Sequence, residues 1–180
     1  MTILDWRRAL RGDHVLLQNF TCTEPAHYDR QRGRSVHPRP WELEVQRGIR
    51  GINPSTMGQS LRLGLDDDGI GAVCLFAALR PGEVRLMAVA VALRYRRRDR
   101  MIADEALTEV LEAAAREEVH RGQWQVYISG SIHDRNIASQ RMCQRHGFTC
   151  DGPEPYLPLH QRWSVILTLD PAPDPSQLPM

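Results

Sequence analysis

Val84 to Leu107 reads VRLMAVAVALRYRRRDRMIADEAL, and the reading of this stretch decides the fold. Val84–Val91 is apolar apart from Arg85 and carries valines suited to a pleated sheet, which predicts a strand. Arg94, Tyr95, Arg96, Arg97, Arg98, Asp99 and Arg100 follow as a basic turn. Met101 opens the best helical pattern of the chain. Ala103, Ala106, Leu107, Val110, Leu111, Ala114 and Val119 recur at helical spacing as far as His120, and Arg121-Gly122 closes it. A strand that feeds a helix through a cationic turn is suited to hold phosphates. The first-turn N–H groups have no partner within the helix, the helix dipole favours anions, and arginines add bidentate donors. The stretch points to a ligand with several phosphates. A solvated cationic loop between two core elements is the other reading of the same residues, and the stretch alone leaves both open.

Composition narrows the class. The chain has 180 residues, enough for one domain with a core, and the expectation is a single domain over residues 1–170 with a disordered, proline-rich tail over 171–180. Hydrophobic residues at 42% and charged residues at 25% make it globular. With a net charge of +1, no global field draws it to a membrane or to nucleic acid, and neither is expected as a partner. All 23 basic residues are arginine, which excludes a lysine Schiff base and a P-loop lysine. Cys22, Cys74, Cys143 and Cys150 form no C-x-x-C pair, and there is no signal peptide or long apolar run. They read as reduced thiols of a cytoplasmic protein. His133, His146 and His160 lie near Cys143 and Cys150 in sequence without metal-ligand spacing, so no metal is expected.

Around the central stretch the pattern is a mixed sheet. Residues 1–19 suggest a short helix, or a helix and a strand, and Phe20–Thr23 suggests a short strand. Glu24–Pro40 is rich in Pro, Arg, Gly and His and reads as a loop. A helix is expected over Pro40–Arg47, stopped by Gly48, with Glu42 and Glu44 in its first turn. Leu61, Leu63 and Leu65 alternate as in a half-buried strand, and Asp66-Asp67-Asp68-Gly69 is a hairpin turn. Ala72–Leu79 is the next strand, and Arg80-Pro81-Gly82-Glu83 turns it into Val84–Val91. Beyond the long helix, Gln123–Ser129 reads as a strand with Trp124, Val126 and Ile128 on one face. A helix begins near Asp134-Arg135-Asn136 and ends at Gly147. Phe148–Cys150 begins a strand, Gly152–Pro158 is a loop, and Trp163–Leu169 is the last strand. The expected class is α/β (α+β): a twisted, mixed, mostly antiparallel sheet of about six to seven strands with helices on both faces.

Two segments together resemble the GNAT superfamily of N-acetyltransferases. Arg98-Asp99-Arg100-Met101-Ile102-Ala103 is similar to that family's Q/R-x-x-G-x-G/A loop, with Met101 where glycine is usual. The run from Asn136 to Phe148 is similar to its N-x-x-A/S-x-x-L-Y-x-x-x-G-F pattern. Asn136, Ser139, Gly147 and Phe148 match there, and Cys143 replaces the tyrosine. The resemblance spans roughly residues 61–169 and rests on the order and spacing of the two motifs.

The resemblance implies acetyl-CoA as co-substrate and no metal. Its pantetheine arm would bond to the strand backbone at Val89, Ala90 and Val91, and its pyrophosphate would sit on Arg97, Arg98, Asp99, Arg100, Met101, Ile102 and Ala103. Arg94, Arg96 and Arg97 would reach toward the 3′-phosphate. Asn136, Ser139 and Cys143 complete the implied cofactor site. For catalysis it implies Glu83 as base and Cys143 or Tyr156 as acid. The acceptor would be an amine, on a small molecule or a protein, attacking in a ternary complex, and a homodimer is compatible with exposed sheet edges. A catalytically weak or inactive acyl-CoA-binding protein is the alternative that Met101 and Cys143 raise. A nucleic-acid module built on Arg94–Arg100 is a third reading, opposed by the net charge.

Overall fold

A computed structural model describes residues 4–96 and 101–169. The first half of the chain forms β1 (Asp5–Arg8), a 3-10 turn (Arg11–Asp13), α1 (His14–Asn19), β2 (His27–Asp29), β3 (Arg34–Val36) and α2 (Pro40–Arg50). Then come β4 (Gln59–Asp66), β5 (Gly69–Arg80), β6 (Glu83–Val91) and a 3-10 turn (Leu93–Tyr95). The second half forms α3 (Met101–His120), β7 (Gln125–His133), α4 (Ile137–Arg145), β8 (Thr149–Pro153) and β9 (His160–Thr168). Seven strands hydrogen-bond in the order β1-β4-β5-β6-β7-β9-β8, and β2 and β3 form a separate hairpin. The sheet is mixed and mostly antiparallel, with β6 and β7 parallel. The α/β class and the strand number agree with the sequence pattern.

The chain divides into two compact units: Met1–Leu75 with Ala88–Ala106, and Phe76–Met87 with Leu107–Met180. In the first, alternation on β4 buries Leu61 and Leu63, which join Leu17, Phe20, Ile49, Val73 and Ala90 in one apolar cluster. β1 pairs with β4 so that Trp6 lies opposite Gly64. The Trp6 indole N–H and the Leu4 amide both donate to the Glu105 carboxylate, at 2.8 and 3.0 Å, tying β1 to the first turns of α3. Asp13 ties the other end of β1. It accepts two bonds from Arg7, at 2.7 and 2.8 Å, and one from the Leu10 amide.

In the second unit, Val84, Val126 and Ile128 are buried on one face of β6 and β7, with Leu107, Val110 and Ala114 of α3 also buried. Gly82 makes the turn into β6 at φ +76°, a conformation that L side chains rarely adopt. Its amide donates to the fully buried Glu118 at 2.8 Å, and its carbonyl accepts from Tyr127 at 2.9 Å. Arg121 pairs with Glu118, so the buried carboxylate is not left uncompensated. Asn136 caps α4 by accepting from the Ser139 amide at 3.3 Å, and Gly147 ends it at φ +81°.

Several boundaries differ from the sequence pattern. Phe20–Thr23 is not a strand. Its amides at Cys22 and Thr23 donate to the side chain of Gln46, and its Phe20 carbonyl accepts from Arg50, so side chains of α2 take the place of a strand neighbour. The Glu24–Pro40 segment contains the small β2–β3 hairpin. α2 runs through Gly48 to Arg50 because Ile49 is buried in the core cluster and anchors the last turn. Trp124 is 67% exposed and precedes β7, so only Val126 and Ile128 of that expected face are inward. β8 continues to Pro153, and β9 begins earlier, at His160. The tail expected over 171–180 lies outside the described residues. No described helix is long and apolar enough to cross a membrane.

Gly64 is where β1 and β4 come closest. A Cβ there would lie 2.9 Å from the Trp6 ring and 2.8 Å from Leu4. Gly64→Ala is expected to push the indole off its bond to Glu105 and destabilise the fold by roughly 1–3 kcal/mol. A thermal melt would register this as a lower midpoint, and an unchanged midpoint would show that β1 shifts freely.

Candidate active site

The parallel ladder between β6 and β7 is short. It runs from Glu83 opposite Tyr127 to Leu86 opposite Gly130, and then stops. β6 continues to Val91 and β7 to His133. After β6 the chain is held from the other side. The Ala92 amide donates to the Gly71 carbonyl and the Leu93 amide to the Thr21 carbonyl, both at 2.8 Å. Of the residues expected to bond pantetheine, Ala90 is buried, and Val89 and Val91 are half-buried.

Two arginines of the basic run, Arg94 and Arg96, are already tied to carboxylates. Arg94 donates to both oxygens of Asp66 at 2.7 Å and lies over the Tyr95 ring, 5.1 Å from its centroid. The Tyr95 hydroxyl also donates to Asp66. Burial alone would push the Asp66 carboxyl up, but the bonds from Arg94 and Tyr95 outweigh it and hold it below the usual carboxylate range. Arg96 donates to Glu42 at 2.6 Å. The same Glu42 oxygen accepts from Thr23 at 2.7 Å and pairs with Arg39 at 3.2 Å. A phosphate reaching for Arg94 or Arg96 would therefore compete with a carboxylate already in place. Arg97, Arg98, Asp99 and Arg100 lie outside the described residues.

Met101 begins α3 with helical backbone, and its side chain is 63% exposed. The position where the family's glycine is usual therefore needs no positive φ here. Ile102 is fully buried and anchors the first turn, with Ala103 half-buried behind it.

The three residues expected to be catalytic are not joined by any bond among the described residues. Glu83 pairs with Arg80 across the turn before β6. Tyr156 is 92% exposed in the β8–β9 loop. Cys143 is buried in α4, and burial pushes its thiol up to about 12, against a smaller opposing pull from Arg145. A thiol held there is no nucleophile near neutral pH. Proton transfer from it to a departing thiolate, with an ordinary pKa of about 8.5, would run uphill. Its observed role is packing. Asn136 spends its side-chain oxygen on capping α4. Among the described residues, no cluster of His, Cys, Asp or Glu brings together three potential metal ligands.

One cluster escaped the sequence reading. Glu154 accepts from Arg162 at 2.6 and 3.3 Å, from Ser131 at 2.7 Å and from Arg85 at 3.0 Å. Its side chain is 7% exposed. The bonds from Arg162, then those from Ser131 and Arg85, outweigh burial and hold its carboxyl at about 2. The one sequence signal was Arg85, the single charge in an otherwise apolar strand. Glu154 and Arg162 lie in the segment after α4, where nothing in the spacing links them to Arg85.

Solved structures with the same architecture come from acetyltransferases. An acetyltransferase of the GNAT family from Staphylococcus aureus superposes with a TM-score of 0.58 at 15% identity, over 93% of this chain and 99% of that one. This is the GNAT fold. Ribosomal-protein-S5-alanine acetyltransferase from Vibrio fischeri shares it with a TM-score of 0.59 at 14% identity, over 93% and 94% of the two chains. So does a protein of Salmonella typhimurium described as an acetyltransferase and solved with its cofactor acetyl-CoA, with a TM-score of 0.53 at 15% identity, over 97% and 99%. No family model and no curated sequence matches the chain, so the likeness is carried by structure.

Glu154 gives the site a pH signature. Its folded-state value of about 2 lies below the ordinary 4.5, so its stabilising contribution is full above 4.5 and lost as pH falls through 2. Glu154→Gln is therefore expected to lower stability most near neutral pH, with the deficit against the natural chain closing between about 4.5 and about 2. Denaturant melts across that range check this, and a pH-independent deficit would contradict the assignment.

Proposed function

We propose that the chain is an acyltransferase that moves an acetyl group from acetyl-CoA to the nitrogen of a primary amine. The observation that supports this most is the fork in the sheet. β6 leaves its ladder with β7 at Leu86 and runs on to Val91, and an arginine-rich run of sequence precedes the twenty-residue helix α3. Backbone beyond the ladder, at Val89 to Val91, offers the polar groups that an extended pantetheine arm bonds, as a peptide strand would. The N-terminal end of the α3 dipole, with the arginines before it in the sequence, suits a pyrophosphate. Met101 does not oppose this, since its backbone is helical and its side chain faces solvent.

In the reaction, the neutral amine attacks the thioester carbonyl. The C–N bond forms, the C–S bond breaks, the nitrogen loses a proton, and the CoA sulfur leaves as thiolate or takes a proton as thiol. Glu83 is the candidate proton acceptor, through water, and Tyr156 in the β8–β9 loop is the candidate donor. Holding the two substrates in line supplies much of the acceleration in such a direct transfer. Asn136 acts through the position of α4.

Calorimetric titration of acetyl-CoA into the full chain, with CoA and ATP as comparisons, tests the proposal. Micromolar or tighter binding of acetyl-CoA, with ATP much weaker, is expected. Thiol release with an amine panel should then show turnover. Asn136→Ala, which removes a helix cap worth about 1 kcal/mol, is expected to lower turnover, whereas Asn136→Asp, which keeps the cap, is expected to retain it. Absence of binding to either CoA species would refute the transferase reading. Binding without turnover on any amine would favour the alternative, a non-catalytic acyl-CoA-binding protein.

A further inference from the structure

The sheet of the second unit has one apolar face and one polar face. Strand register puts Val84, Val126, Ile128 and Trp163 on the first, and all four are buried. The other face carries Arg85 beside Ser129, and Ser131 beside Arg162. Glu154 follows β8 and lies within bonding distance of that face, between the two arginines. The site is at the fork itself, since Arg85 is one residue before the end of the ladder at Leu86. Met87, the next β6 residue on the same face, is 50% exposed.

We propose that Arg85 and Arg162, clamped by Glu154, are the acceptor's carboxylate site, so that the amine taken by this chain is one that also carries a free carboxylate. This rests on the acyl-transfer reading and names its acceptor class. A guanidinium has five N–H donors. Arg85 spends donors on Ser129, Ser131 and Glu154, and Arg162 spends two on Glu154. Both keep donors, including the NH1 group of Arg162, and their side chains are 26% and 39% exposed while Glu154 is nearly covered. Two cations share one carboxylate, which leaves an unbalanced positive charge within the clamp. Asp151, which accepts from Tyr127 at 3.2 Å, is the other carboxylate that acts on Arg162. It is exposed and water-screened, so it offsets little of that charge.

The clamp also lowers the cost of binding. Free arginines lose rotamer freedom when they take a ligand, but these two are already ordered by Glu154 and the serines. Planar guanidiniums match a carboxylate in a bidentate manner, which a lysine would not. Two carboxylates that would favour a purely cationic amine are otherwise engaged: Glu42 with Arg96, Arg39 and Thr23, and Glu83 with Arg80.

Two measurements on the full chain test this. The first titrates N-acetyl derivatives of alanine, glutamate and phenylalanine, and the corresponding amides, into the protein without any CoA species. At least one acid is expected to bind tenfold or more tightly than its amide, and Arg162→Gln is expected to abolish that preference while Arg162→Lys restores part of it. The second compares the free amino acids with their amides as acceptors of acetyl-CoA. Arg162→Gln should raise KM for the acid tenfold or more, with the amide's KM little changed. Equal binding of acids and amides, or a variant that weakens both alike, would overturn the carboxylate site. The first measurement does not depend on CoA, so failure of the arginine site and failure of the transferase reading give different results.

Discussion

The arrangement of the second unit depends on how Gly82 is held. Its amide is taken by a carboxylate with no solvent exposure, Glu118 of α3, and its carbonyl by the first residues of β7. These two bonds set the height at which β6 starts beside β7, and the register from Glu83 to Leu86 follows. The turn requires a left-handed residue, and a Cβ at Gly82 would come within 3.3 Å of the Gln125 carbonyl. A buried carboxylate is costly unless its oxygens are bonded, and Arg121 with the Gly82 amide supplies that compensation. Beyond Leu86 the ladder to β7 has ended while β5 remains the neighbour of β6 on its other side, and the chain after β6 is held by bonds of Ala92 to Gly71 and Leu93 to Thr21.

A second theme is that arginine charge is committed early. Asp66 holds Arg94, Glu42 holds Arg96 and Asp13 holds Arg7, each in a partly buried pair. These pairs shape the loops more than they add stability, since ion pairs near the surface are worth little individually. The Glu154 clamp differs, because one covered carboxylate orders two guanidiniums that keep spare donors. The same residue type therefore pairs one to one with carboxylates in the first unit and two to one in the second.

The path from sequence to structure was uneven for the site. Cys143 is expected from its motif position, Glu83 from its place at the start of a strand and Tyr156 from its loop, and each is found in a different environment: a helix interior, a turn ion pair and an exposed loop. Motif spacing carries an element and a position on it, but the partner that sets a group's chemistry comes from elsewhere in the chain. For Cys143 that environment is apolar burial, which makes the thiol a poor acid. For Glu154 it is three donor residues on three other strands, β6, β7 and β9, and proline-rich flanks gave no hint of them. Phe20–Thr23 failed for the same reason in miniature, since Gln46 satisfied amides that a strand neighbour was expected to take.

What the sequence determined by itself was local and periodic. Alternation on β4, the apolar run of β6, the spacing of α3 and the glycines at 69, 82 and 147 specify the elements, because these depend on pleat, helical repeat and allowed φ. With the order of two motifs, they were enough to name the GNAT fold. Tertiary structure alone decided where the β6–β7 ladder stops, which arginines are neutralised, and which two stay open around Glu154. Those outcomes depend on contacts between residues 69 positions apart, as Arg85 and Glu154 are. Long-range electrostatics and register leave no periodic trace in a single chain's sequence.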